Sequence, residues 1–137
     1  MSTTVTASFK LDSWDEEEWQ ASPEGMKFSK AELTKTYTGG VEGSSRGQFL
    51  FAFGQGGAGY VGHEQLEVVV EGRKGTFILQ HQAVGLTSDE EGGADWHIVP
   101  GTGTGDLAGI QGTATMRKLD DGSHTFSLAY EILPELV

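Results

Sequence analysis

The stretch Ala58–Ala83, AGYVGHEQLEVVVEGRKGTFILQHQA, decides the fold class. Ala58, Tyr60, Gly62, Glu64, Leu66, Val68 and Val70 alternate with Val61, His63, Gln65, Glu67, Val69 and Glu71, and period-2 alternation is the mark of a β-strand. After the turn, Gly75, Phe77, Leu79, His81 and Ala83 share one face of a second strand. A two-residue loop at Gly72-Arg73 joins them as a hairpin, pairing Val68 with Phe77 and Leu66 with Leu79. Extending that register sets Glu64 directly opposite His81, both on the apolar face. A one-residue adjustment on each side of the turn makes them diagonal neighbours on the same face instead.

The same alternation runs outward in both directions. Strands are expected at about 3–14, 26–38, 41–53, 58–71, 73–86, 94–99, 109–118 and 123–133. Val5, Ala7, Phe9 and Leu11 form one inward face, and Phe49, Phe51 and Phe53 another. In the second strand Ala31, Leu33 and Tyr37 share their face with Lys35, which blurs its pattern. Asp120-Asp121-Gly122 suits a three-residue hairpin loop with glycine in the left-handed region, which keeps Met116 and Phe126 on one face. No helical apolar stripe of useful length appears. Eight short antiparallel strands with hairpin links close as an up-and-down barrel, which removes exposed edges, or stack as a sandwich. The 21 glycines among 137 residues, about twice the usual share, supply turns and corners for closure.

The bulk composition sets limits. The length suits one domain, and 36% hydrophobic residues suffice for one core. No apolar run approaches the roughly 20 residues a membrane span needs, and the N-terminus lacks a signal-peptide pattern, so a soluble, cytoplasmic protein is expected. The net charge of −11, with nine Lys and Arg, argues against nucleic acid. The acidic runs Asp15–Glu18, Asp89–Glu91 and Asp120–Asp121 read as solvated loops and lack the spacing of a calcium site. Cysteine is absent, and the four histidines show no metal-ligand spacing. No metal and no cofactor are expected.

Candidate chemistry centres on Glu64 and His81. A carboxylate inside a barrel costs several kcal/mol unless paired, and the same setting perturbs pKa values. The two side chains are candidates for an acid/base pair, or for a satisfied polar pair without catalytic role. Tyr37, Tyr60 and Tyr130 fall on inward faces as candidate ligand contacts or as core aromatics with satisfied hydroxyls, while Trp14 and Trp96 sit near strand ends, where they would cap a cavity at the mouth or pack beneath a loop. The run Pro100–Gly109 is glycine-rich, but it leads into a strand rather than a helix, so it is not a dinucleotide loop.

That run carries a family resemblance. Gly103-Thr-Gly-Asp-Leu-Ala-Gly-Ile-Gln-Gly112 resembles a segment of allene oxide cyclase-like and dirigent-like barrels, of broadly calycin-like architecture. The segments Thr34–Gly39, Gly59–Glu64, Gly75–His81 and Val99–Gly105 resemble a small bacterial family of unknown function within that group. The resemblance implies an eight-stranded antiparallel barrel with an interior cavity, and self-association into homo-oligomers. Its relatives include cofactor-independent cyclases and proteins that only bind ligands, and no catalytic set transfers residue by residue. The leading expectation is a barrel binding a small apolar ligand, with cofactor-independent cyclase or isomerase chemistry open to it. The alternative is a non-catalytic interaction or scaffold protein with a filled barrel. An interior filled by Phe9, Phe49, Phe51, Phe77 and Phe126, leaving no room for a ligand, would end the first reading, and a surface-connected void of a few hundred Å³ would support it.

Overall fold

The computed structural model describes residues 2–86 and 94–134. Eight strands, β1 (Thr3–Ala21), β2 (Lys27–Gly39), β3 (Val41–Phe53), β4 (Gly57–Val70), β5 (Arg73–Leu86), β6 (Ala94–Ile98), β7 (Ile110–Lys118) and β8 (His124–Ile132), run antiparallel in sequence order. The sheet closes on itself as β8 pairs with β1, Thr3–Phe9 against His124–Tyr130. Alternation drives this closure. Inward side chains such as Leu66, Phe77, Leu79, Phe126 and Leu128 are fully buried, and outward ones meet solvent. No helix among the described residues is long and apolar enough to cross a membrane.

Two expectations change. The first strand does not stop at residue 14 but runs through the acidic run Asp15–Glu18. Cross-strand partners on β2 hold it extended: Lys30 lies 3.7 Å from Glu17, Lys27 lies 3.9 Å from Glu18, and the Ser29 hydroxyl donates to Glu16 at 2.9 Å. These contacts offset the like-charge repulsion that favours a loop. The Asp89–Glu91 run lies outside the described residues.

The β4–β5 turn is at Glu71-Gly72, one residue earlier than expected, with Val70 opposite Arg73. Both turn residues have positive φ, 49° and 85°, the pattern of a type I′ turn. Glu71 is held there because the Tyr130 hydroxyl, from β8 across the barrel, donates to its carboxylate. The register therefore pairs Leu66 with Phe77 and Glu64 with Leu79. By contrast, Met116 does pair with Phe126, and Gly122 has a φ of 89°.

Pairing is uneven around the barrel. β6 meets β7 only at Trp96–Ala114 and His97–Thr113. The glycine-rich segment supports this weak sector. The Thr102 hydroxyl accepts from the Ile78 amide at 3.1 Å, Thr104 bonds Thr76, and Leu107 is buried. At the other end, β1 beyond Phe9 has no β8 partner, so β1–β5 continue past the closed barrel as a flared sheet.

Candidate functional site

Glu64 is buried at mid-barrel in the cross-strand row Leu33–Gly47–Glu64–Leu79–Ile98. Four side chains converge on it. Lys35 Nζ donates to Oε1 at 3.1 Å, while Tyr37 and Ser45 hydroxyls donate to Oε2 at 2.6 and 2.5 Å. His81 Nε2 lies 2.9 Å from Oε1, close enough for a strong electrostatic contact. Glu64 and His81 are diagonal rather than directly opposite, because His81 pairs with Gly62 in the next row.

Burial works to raise the Glu64 pKa, but the His81 imidazole, the Lys35 ammonium and the Ser45 hydroxyl outweigh it and hold the carboxyl at about 2. Burial lowers the His81 pKa, with Glu64 opposing only in part, so the ring is neutral near pH 7. Burial likewise lowers Lys35, against the pull of Glu64. Its Nζ sits 4.2 Å from the Phe9 ring and 4.9 Å from the Trp96 ring, which supply π-faces where water is excluded. Tyr37 is raised well above its usual value by burial and by the Glu64 charge.

The row toward the flared end is Ala31–Phe49–Gly62–His81–Trp96–Ala114. Gly62 is required here, since a Cβ would sit 1.8 Å from Phe49 Cδ1. The Phe49 ring covers it and meets His81 edge-on at 5.0 Å, while His81 contacts Trp96 at 3.9 Å. The inward faces then open. Phe51 and Tyr60 are half-buried with centroids 5.5 Å apart, and Trp14 leans on Phe51 at 5.6 Å. Tyr60 is raised by burial, and the Trp96 indole opposes that shift. Trp96 Nε1 is nonetheless buried without a formed hydrogen bond.

The predicted site residues thus divide. Glu64, His81 and Tyr37 meet in the buried cluster. Tyr60 and Trp14 line the mouth, but Trp14 does so from within β1 rather than from a strand end. Trp96 does not sit at the rim; it is core, packed by His81 and Phe126. Tyr130 is buried at the opposite end on Glu71, away from this site, because β8 reaches that end where it pairs with Thr3. Lys35 and Ser45 were missed. Lys35 had a readable signal, a cation on an apolar face, whereas one inward serine carries none.

Phe9, Phe49, Phe77 and Phe126 pack the interior around the cluster, while Phe51 stays half-buried. A groove of about 1110 Å³ does exist, but mainly outward-facing residues line it, including Gln48, Leu50, Val61, His63 and Gln80. It lies outside the barrel rather than within it. Among the described residues, no three His, Cys, Asp or Glu side chains converge as metal ligands would.

Fold and sequence together define a closed eight-stranded barrel of a recognised family. The chain belongs to the DUF3224 family, described as proteins of unknown function, whose profile matches residues 5–130. It is similar to the crystal structure of a DUF3224 protein of unknown function from Shewanella oneidensis MR-1. The identity is 29%, the coverage 98% of this chain and 100% of that one, and the TM-score 0.81. Comparison with curated proteins finds no match.

Proposed function

We propose that this barrel binds a flat, largely apolar small molecule at its flared mouth, between Trp14, Phe51 and Tyr60 and above His81 and Trp96. One observation carries this reading: a buried donor, Trp96 Nε1, has no formed hydrogen bond at the floor of a half-open aromatic mouth. Buried polar groups are nearly always satisfied, so an orphaned donor invites an acceptor such as a carbonyl oxygen. Aromatic walls favour a planar ligand.

Proton transfer on such a ligand would fall to His81. The ring is neutral, and Glu64 beside Nε2 favours the tautomer with its proton there, so Nδ1 is left as the base. Lys35, Tyr37 and Ser45 would act by keeping Glu64 ionised and in place. That is the minimal equipment for cofactor-independent isomerase or cyclase chemistry.

The test is quenching of tryptophan fluorescence by 2-acetylnaphthalene, with 2-ethylnaphthalene as the analogue lacking the carbonyl. Saturable binding is expected, weakened by Phe51→Ala and Tyr60→Ala, with the ketone favoured about 2- to 10-fold for one hydrogen bond. No saturable binding, or binding indifferent to both substitutions, overturns the proposal. One observation favours the second reading, a filled non-catalytic barrel: both Glu64 oxygens are already doubly contacted, and the surrounding interior is packed.

A further inference from the structure

The outer face of β2–β5 is organised in cross-strand rows. Phe28, Ala52, Gly59 and Val84 lie side by side, and next to them run Lys30, Leu50, Val61 and Gln82. Phe28 is 44% exposed, Leu50 49%, Val61 52% and Val84 82%. Large apolar side chains left this open, and gathered in adjacent rows, mark an interaction surface rather than scatter. The next row, Glu32–Gln48–His63–Gln80, is polar and already ordered, with His63 bonded to Gln80 at 3.1 Å and Gln48 donating to Glu32 at 3.2 Å, and beyond it lie Thr34, Arg46, Gln65 and Ile78. Burying ordered amides costs little additional side-chain entropy.

We infer that this outer face is the contact surface between two copies of the chain. Charge selects the partner. The four rows hold Lys30 and Arg46 against Glu32, a balance of +1, on a chain of net charge −11. Another copy is repelled at the free edge of β1, where self-pairing would set Asp12 and Asp15–Glu18 against acids of the second chain. On this outer face two such acidic molecules can meet without stacking carboxylates.

The area suffices. Four strands about 4.8 Å apart and four rows about 6.6 Å apart give a footprint of roughly 500 Å². Trp19, packed on Phe28 at 5.2 Å, extends it together with Met26 and Leu86, which are also exposed. That reaches toward the roughly 800 Å² per partner of a stable interface. The face is self-complementary, as a two-fold contact requires: Leu50 and Val61 sit at its centre on adjacent strands, with Phe28 and Val84 at equal distances to either side.

Sedimentation equilibrium of the full chain, at low and high salt, tests this independently of the ligand reading. The expected species has twice the 14.6 kDa chain mass and tightens as salt screens the repulsion between the acidic remainders. Leu50→Glu and Val61→Glu each raise the dissociation constant by on the order of 100-fold, since each buries an unpaired carboxylate at the centre. Both point outward, so far-UV circular dichroism and Tm stay near the parent values. Thr115→Glu, exposed on β7, leaves association unchanged. A monomer at every concentration, a dimer that loosens with salt, or a dimer indifferent to both central substitutions overturns the inference.

Discussion

Glu64→Gln is the sharpest probe of the buried cluster. The substitution keeps shape but removes the charge that balances Lys35, which is 6% exposed and held between the Phe9 and Trp96 rings. Removing one partner of a buried pair leaves the other charge uncompensated, at a cost of about 3–5 kcal/mol. The amide also cannot accept from Lys35, Tyr37 and Ser45 together, so one donor is left unsatisfied. For a chain of 137 residues, a loss of that size corresponds to a fall in Tm of roughly 10–15 °C. Urea unfolding at neutral pH, followed by circular dichroism and tryptophan emission, measures it. Adding Lys35→Met should recover part of the loss, because the orphaned charge goes as well. If Glu64→Gln matches the parent to within about 0.5 kcal/mol, the cluster is not a desolvated ion pair. If the double variant is less stable than Glu64→Gln alone, the accounting fails in the same way.

Three further outcomes follow from the same contacts. Stability should fall as pH drops, in two stages: the unfolded chain binds a proton on His81 below about 6.5 and on Glu64 below about 4.5, while folded pKa values are lower for both. His124, also lowered by burial, adds to the first stage. Urea midpoints from pH 8 down to pH 3 check the sign, and a flat profile between about pH 7 and pH 5.5 would count against a neutral buried His81. Gly62→Ala drives a methyl into Phe49 and the Gln48 carbonyl and should cost about 3 kcal/mol or more, read from the same urea curves. Thr104→Val removes the hydroxyl bonded to the Thr76 amide and hydroxyl, and should cost about 1–2 kcal/mol with loss of amide-exchange protection in β5.

Sequence alone determined the strands, their facing and the class of fold. Alternation at period 2 is local, and burying the apolar set of each strand leaves a barrel or a sandwich as the only economical ways to satisfy it. The inward placement of Glu64, His81 and Tyr37 was legible for that reason, since parity survives a shift of one residue on each side of a turn. Closure itself, as opposed to stacking, appears only in the pairing of β8 with β1.

What was not legible depends on groups distant in the chain. The exact β4–β5 register turns on Tyr130 reaching Glu71, 59 residues away. The extension of β1 through four acidic residues depends on lysines that arrive only with β2. Lys35 reads as a flaw in its strand until Glu64, 29 residues on, supplies its counter-charge. Trp96 reads as a rim residue until β5 and β8 enclose it with His81 and Phe126. Facing is a property of one strand and its period, whereas partners are set by closure, which brings together side chains that no local pattern relates.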